Sequence, residues 1–184
     1  MEIGPAPQSA FSSSQRFAVK TFREQIIFSF VLIKKTVSVC ASNDSSASSG
    51  YLQYRFGQKG ALELAFPDLT ESAPASQSVQ ARTLMFSGGG GGYLRFINGL
   101  HHYYIVYAVI GKGWGAKDGV AVEKNNRLIA NLECQNILVS KLNEAFFTHA
   151  GLSAASNTFF SSLLRKIRCL CDRSAAYFLN IRFA

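Results

Sequence analysis

The sequence has few of the residues that mark the commonest functional sites. It contains four cysteines, three histidines and one tryptophan in 184 residues. No two cysteines form a C-x-x-C pair, and His101, His102 and His149 lack the spacing of zinc ligands. A structural zinc site is therefore not expected. No serine, histidine or acidic residue falls into the spacing of a catalytic motif, so the sequence favours a protein that is not an enzyme and predicts no cofactor.

Acidic residues are also scarce, with 11 Asp and Glu against 19 Lys and Arg, which gives a formal net charge of +8. The excess lies at the two ends of the chain. Residues 1–39 carry +3, residues 40–150 carry +1, and residues 151–184 carry +4. A nucleic-acid-binding domain usually places its basic patch on the folded surface that docks. The nearly neutral middle of the chain therefore argues against nucleic acid as a partner.

The apolar run Ile26–Ile33 is too short to span a bilayer, because a membrane-spanning helix needs about 20 apolar residues. Three basic residues precede it, and Val39–Ala41 resembles a small-residue cleavage site, which is typical of an export signal. The fit is imperfect because Lys34-Lys35 interrupts the path to that site. The alternative is that Ile26–Ile33 is a buried strand. We assign residues 1–35 to an N-terminal extension or an imperfect export signal.

The middle of the chain alternates apolar and polar residues with the period of a β-strand. The strands Tyr51–Phe56 and Ala61–Phe66 form a predicted hairpin around a short turn that contains glycine. A second hairpin joins GVAVEK to RLIANLEC through Asn125-Asn126, since asparagine tolerates positive φ. The other predicted strands are Arg82–Phe86, Tyr93–Asn98 and Tyr103–Ile110.

About seven to eight short strands predict a mainly β fold, either an antiparallel β-barrel or a sandwich. After Cys134 the pattern changes to that of one helix near residues 138–150, which Ser140 can cap and Gly151 can end. The predicted β-domain with its closing helix therefore spans residues 36–150.

The stretch FSGGGGGY, Phe86–Tyr93, invites comparison with a phosphate-binding loop. Such a loop needs a following Lys-Ser/Thr and a helix whose N-terminal amides face the phosphate. Here a strand-like segment follows instead, so a phosphate site is excluded. We predict that the glycines join two strands, and that Ser87, Tyr93 and nearby loops supply any contacts.

Residues 151–184 form a basic amphipathic tail. Apolar residues recur at helical spacing, and basic residues fall between them: Phe160, Leu163, Leu164 and Ile167 against Arg165, Lys166 and Arg168. Such a helix can lie on an anionic membrane surface or pack against the domain. A surface-associated protein held to an anionic membrane by its basic tails is thus one functional hypothesis.

Cys40 precedes the first predicted core strand and Cys134 ends the last. The ends of a closed barrel can be neighbours, so a disulfide between them is one prediction, and it would stabilise the fold by about 4–5 kcal/mol. This disulfide is expected if the protein is periplasmic or extracellular, because disulfides persist in oxidising compartments. The alternative is a pair of buried, reduced thiols in a cytoplasmic protein whose N-terminal segment is not a signal.

Trp114 stands between Gly113 and Gly115, beside two lysines. A tryptophan exposed on such a loop is a common binding anchor. The alternative is that it caps one end of the barrel.

Two motifs resemble those of the bacterial inhibitors of c-type lysozyme, the MliC/PliC family. Ser87-Gly88 followed by Tyr93 resembles the family's S-G-x-x-Y, with two additional glycines. The segment that begins at Tyr107 and contains Gly111-Lys112-Gly113 resembles Y-x-x-x-T-K-G, with Gly111 in place of threonine. The likeness covers about residues 40–134.

The resemblance implies a small exported β-barrel, closed by a Cys40–Cys134 bridge, that binds lysozyme and does not turn over a substrate. Ser87 and Lys112 would enter the lysozyme cleft, whose two carboxylates they would complement. The resemblance and the position of Trp114 on a glycine-flanked loop together give five candidate partner-binding residues: Ser87, Tyr93, Tyr107, Lys112 and Trp114. The sequence therefore favours an exported binding module with a protein partner such as a lysozyme.

Overall fold

A computed structural model describes residues 24–68, 74–100, 102–113, 115–125, 127–134 and 137–155. One compact unit ends at Ala154, and the second unit, Ala155–Ala184, lies almost wholly outside the described residues. The first unit contains the following elements: β1 (Glu24–Leu32), β2 (Lys35–Ser42), β3 (Leu52–Gln58), β4 (Ala61–Phe66), α1 (Ala75–Ser78), β5 (Val79–Phe86), β6 (Gly89–Ile97), β7 (His102–Gly111), β8 (Gly115–Lys124), β9 (Arg127–Glu133), β10 (Ile137–Ser140), α2 (Glu144–His149) and β11 (Ser153–Ala154).

The strands form two sheets in a sandwich-like arrangement. The first sheet has the order β10-β1-β2-β3-β4, and the second has the order β11-β5-β6-β7-β8-β9. All neighbours are antiparallel except β11 and β5, which are parallel. The predicted mainly β, antiparallel fold is confirmed in its sandwich form. The described residues contain eleven strands, more than the seven to eight expected. β2, β10 and the short β11 were not predicted, and β1 was predicted only as the alternative to an export signal.

The core lies between the inner faces of the two sheets, where alternate residues of each strand meet. Tyr54 of the first sheet stacks on Tyr104 of the second, with ring centroids 5.2 Å apart, and it also contacts Phe96. Phe66 contacts the same Tyr104 ring. The same core cluster contains further fully buried residues, among them Phe28, Phe30, Val37, Leu52, Leu94, Val106 and Val120.

Both predicted hairpins are present. Ala61–Phe66 is β4, and its partner β3 pairs Tyr54 with Phe66. In the second hairpin Asn125 adopts φ 51°, as an asparagine turn requires. The register places Val122 opposite Ala130.

The apolar run at residues 26–33 is a strand as far as Leu32, and Ile33 lies in the turn that follows. It forms β1, which lies between β10 and β2 and buries Ile27, Phe28 and Phe30 completely. Cleavage near Cys40 would therefore remove an interior strand of the first sheet. An exported location remains a prediction.

The closing helix is shorter than predicted and starts later. The expected helical segment 138–150 instead contains most of β10, then a short connection, then α2. Asn143, rather than Ser140, caps the helix, since its side chain accepts a hydrogen bond of 2.9 Å from the Phe146 N–H. Neither helix of the described residues is long and apolar enough to cross a membrane. The basic tail beyond Ala155 lies outside the described residues.

Candidate functional site

Most of the glycine run is strand rather than loop. Only Ser87 and Gly88 form the turn between β5 and β6, whereas Gly89, Gly90, Gly91 and Gly92 belong to β6. The expectation that the whole run joins two strands is therefore corrected. Packing explains the glycines. A Cβ on Gly89 would lie 2.1 Å from the Ile110 carbonyl oxygen, and one on Gly91 would lie 2.2 Å from that of Ala108.

The two turns that carry the predicted contact residues lie side by side. The Lys112 N–H donates a hydrogen bond of 2.8 Å to the Gly88 carbonyl oxygen. The fit is close, because a Cβ on Gly88 would lie only 2.9 Å from the Cβ of Lys112. Gly88 and Gly113 have φ of 79° and 91°, which glycine adopts without the penalty that a Cβ brings. Ser87 and Lys112 are both exposed.

An exposed apolar row crosses the sheet beside these turns. Met85 is paired with Gly90, which is paired with Ile110, so their side-chain positions share one face of the second sheet. Met85 is 91% exposed and Ile110 is 62% exposed. Their backbone positions are two strand spacings apart, about 10 Å, and Gly90 between them has no side chain.

The row lies on the same face of the second sheet as the core, but farther along the strands. On β7 the core-facing residues change from buried Tyr104 and Val106 to half-buried Ala108 and then to exposed Ile110. On β6, Gly92 lies under α2, since a Cβ there would approach the Phe147 ring at 3.1 Å. The core face is therefore covered up to Gly92 and open beyond it. We call the two turns, together with the exposed side chains of Met85 and Ile110, the tip.

Tyr93 and Tyr107, two further predicted contact residues, are fully buried. They are direct partners on β6 and β7, and the Tyr107 hydroxyl donates to Asn131 Oδ1 at 2.9 Å. Burial raises the pKa of both tyrosines. Neither side chain belongs to the exposed surface of the tip. Trp114 lies outside the described residues.

The predicted disulfide is absent, and both cysteines are free. On β2, Val37, Val39 and Ala41 face the core, so Cys40 points to the opposite face of the first sheet. Cys134 follows β9 in the second sheet and packs against the core. A sandwich does not close its first and last strands on each other as a barrel does, and the two thiols lie on different sides of the first sheet.

Sequence reasoning missed a polar cluster on the outer face of the first sheet. The Arg55 guanidinium donates two hydrogen bonds to the Glu24 carboxylate, at 2.8 and 3.0 Å. Arg55 Nε also donates to Gln53 Oε1 at 2.7 Å, and the Tyr51 hydroxyl donates to Glu24. Burial and this hydrogen bond raise the pKa of Tyr51 to about 12. The alternation of Gln53 and Arg55 with core aromatics was visible in the sequence, but their partner Glu24 precedes the first predicted strand.

The cluster is suited to holding the sheet together rather than to chemistry, because the Arg55 guanidinium and the Glu24 carboxylate satisfy each other. Burial raises the pKa of the Cys40 thiol, and the nearby charge of Arg55 offsets only part of this effect. A buried, protonated thiol is a poor nucleophile. In the described part of the chain, no group of three or more His, Cys, Asp or Glu is arranged to hold a metal ion. Of the predicted contact residues, Ser87 and Lys112 are the two that the structure brings together on an exposed surface, the tip.

Comparison with protein-family models, with curated proteins and with solved structures finds no match to this chain.

Proposed function

We propose that this protein is a binding module, not an enzyme, and that it docks a protein partner with the tip. The single observation that carries the proposal is the hydrogen bond from the Lys112 N–H to the Gly88 carbonyl oxygen, at 2.8 Å. It joins the turns of two different hairpins into one surface, so that Ser87 and Lys112 can meet the same partner.

The composition of the tip supports a protein partner. Ser87 and Lys112 offer a hydroxyl and a cation, while Met85 and Ile110 offer apolar area that is already exposed to water. Burial of these two side chains against a partner would add a hydrophobic contribution to the polar contacts of the turns. Methionine also adapts its shape to a partner at low cost.

The charge of Lys112 favours an acidic, concave partner surface. The resemblance of the two turn motifs to lysozyme inhibitors suggests a glycosidase cleft, in which two carboxylates lie together. An exported location, periplasmic or extracellular, is part of the same proposal. Tyr93 and Tyr107 have no direct contact role in it, because both are buried.

The test compares Lys112→Ala with Lys59→Ala. Lys59 is also exposed, and it lies in the turn between β3 and β4 of the other sheet. Loss of a desolvated charge pair costs about 2–5 kcal/mol of binding, so Lys112→Ala should weaken inhibition of a c-type lysozyme more than tenfold. Lys59→Ala should match the unaltered protein, and neither change should move the thermal midpoint.

Salt provides a second measurement, since screening should slow the association of the unaltered protein more than that of Lys112→Ala. Absence of binding and inhibition at micromolar concentration would remove lysozyme as the partner. Equal effects of the two lysine substitutions would remove the tip as the docking surface.

A further inference from the structure

The tip holds the one methionine among the described residues, and that methionine is almost fully exposed. The chain has two methionines, and Met1 lies outside the described residues. Met85 is 91% exposed. A thioether so exposed is open to two-electron oxidants such as hydrogen peroxide.

The two described thiols are less accessible than Met85. Cys40 is 6% exposed, and burial raises its pKa, which lowers the thiolate fraction that reacts with peroxide. Cys134 is half-buried against the core. Met85 is therefore the described sulfur atom that an oxidant in solution reaches first.

We propose that Met85 is a reversible oxidation site whose sulfoxide form disables the tip as a docking surface. Peroxide transfers one oxygen atom to the Met85 sulfur, whose lone pair forms the new S–O bond, and the peroxide O–O bond breaks to release water. The thioether is oxidised by two electrons and the peroxide is reduced by two. A thiol-dependent methionine sulfoxide reductase reverses the step.

The position of Met85 explains why this change would affect docking and spare the fold. Its side chain contributes to the apolar row across Gly90 to Ile110, so a strong hydrogen-bond acceptor would appear where a partner has to exclude water. In the free protein the same side chain is solvated, so the sulfoxide costs the folded state little. Oxidation should therefore weaken partner binding at least tenfold and leave the thermal midpoint unchanged.

The experiment rests in part on the proposed function. Oxidation at each sulfur atom is measured separately from partner binding, so a failure of the proposed function can be told from a failure of the oxidation site. The full chain is treated with hydrogen peroxide over a time course, and peptide mass spectrometry follows the addition of oxygen at each sulfur. The thermal midpoint and binding to a c-type lysozyme are measured at each time. The variant Met85→Leu has an apolar side chain without sulfur at position 85 and leaves Met1 unchanged. It is treated in parallel, and methionine sulfoxide reductase is added to half of each sample.

We expect Met85 to gain oxygen before Cys40 and Cys134, with loss of binding that tracks this modification and is restored by reductase. Whatever the level at which untreated Met85→Leu binds, peroxide should not lower the binding of this variant further. Earlier oxidation of the two thiols, full binding by the Met85 sulfoxide, or equal peroxide sensitivity of Met85→Leu would each overturn the proposal. If the untreated protein does not bind lysozyme, the proposed function fails, and the order of oxidation with the thermal midpoint then decides whether Met85 is the oxidation site.

Discussion

Replacing Glu24 by leucine should destabilise the domain severely, because it leaves the Arg55 guanidinium buried without its counterion. The two side chains are only 12% and 9% exposed, and two charge-assisted hydrogen bonds join them. Gln53 would still accept one hydrogen bond from Arg55, but it carries no charge. The substitution therefore removes half of a buried ion pair and not a solvated surface contact.

Breaking a buried pair in this way costs about 3–5 kcal/mol, against about 5–15 kcal/mol for the total stability of a typical domain. Residues 24–154 make a domain of about 130 residues, for which the unfolding entropy converts this loss into a fall of about 11–18 °C in thermal midpoint. An exposed pair would contribute less than about 1 kcal/mol. The two cases are far enough apart to be distinguished.

The assay is urea unfolding of the unaltered protein, Glu24→Leu, Arg55→Met and the double variant. Each single change should lower the transition midpoint without altering its slope. The double variant should recover much of the loss, since it replaces two matched charges with apolar side chains and leaves neither charge alone. The exposed pair Lys35–Glu63, at 2.7 Å, supplies the control, and Glu63→Leu should change stability little. A loss below about 1 kcal/mol for Glu24→Leu, or simple additivity in the double variant, would refute the reasoning.

Two further predictions concern β6 and β7. Gly92→Ala should destabilise the domain by about 1–3 kcal/mol, because the new Cβ would lie 2.8 Å from the Leu142 carbonyl oxygen and force the chain before α2 to move. Lower entropy of the unfolded chain would by itself raise the thermal midpoint, so a measured rise would contradict this prediction. Burial, with a smaller effect of Lys124, lowers the pKa of His102 below 6.5. As the pH falls, the His102 imidazole is protonated in the unfolded chain before it is protonated in the folded one. The free energy of unfolding should therefore be highest above pH 6.5 and should decrease as the pH falls below 6.5. His102→Gln should flatten this part of the urea-midpoint profile, and an unchanged slope would count against it.

The strands were largely predictable because their signal is local. Alternation and turn residues placed β4 at its observed bounds and located the Asn125 turn. The same pattern was ambiguous for Ile26–Ile33, which carries too few polar residues to alternate clearly. Its pairing with the neighbouring β2 and with the distant β10 makes it a strand.

The candidate site was predictable in part for the same reason. Ser87 and Lys112 lie in turns, whose exposure follows from the local sequence. Tyr93 and Tyr107 lie within strands, where alternation tells which face a side chain occupies but not what packs against that face. The disulfide failed because it depended on barrel closure, a global property. Met85 and Ile110 gave no signal, since nothing local shows that the core face is open beyond Gly92.

The four glycines at the start of β6, residues 89–92, affect how the register between β6 and its neighbouring strands is fixed. Four successive residues without side chains give neighbouring strands nothing to distinguish one register from the next. The alignment is therefore set from outside the run, by Tyr93 opposite Tyr107 at one end and by the contact of Gly88 with Lys112 at the other. A glycine added to the run would leave the aromatic end in place and enlarge only the turn. The length of the tip can thus vary independently of the core, so the proposed docking surface can change its reach while the sandwich stays as it is.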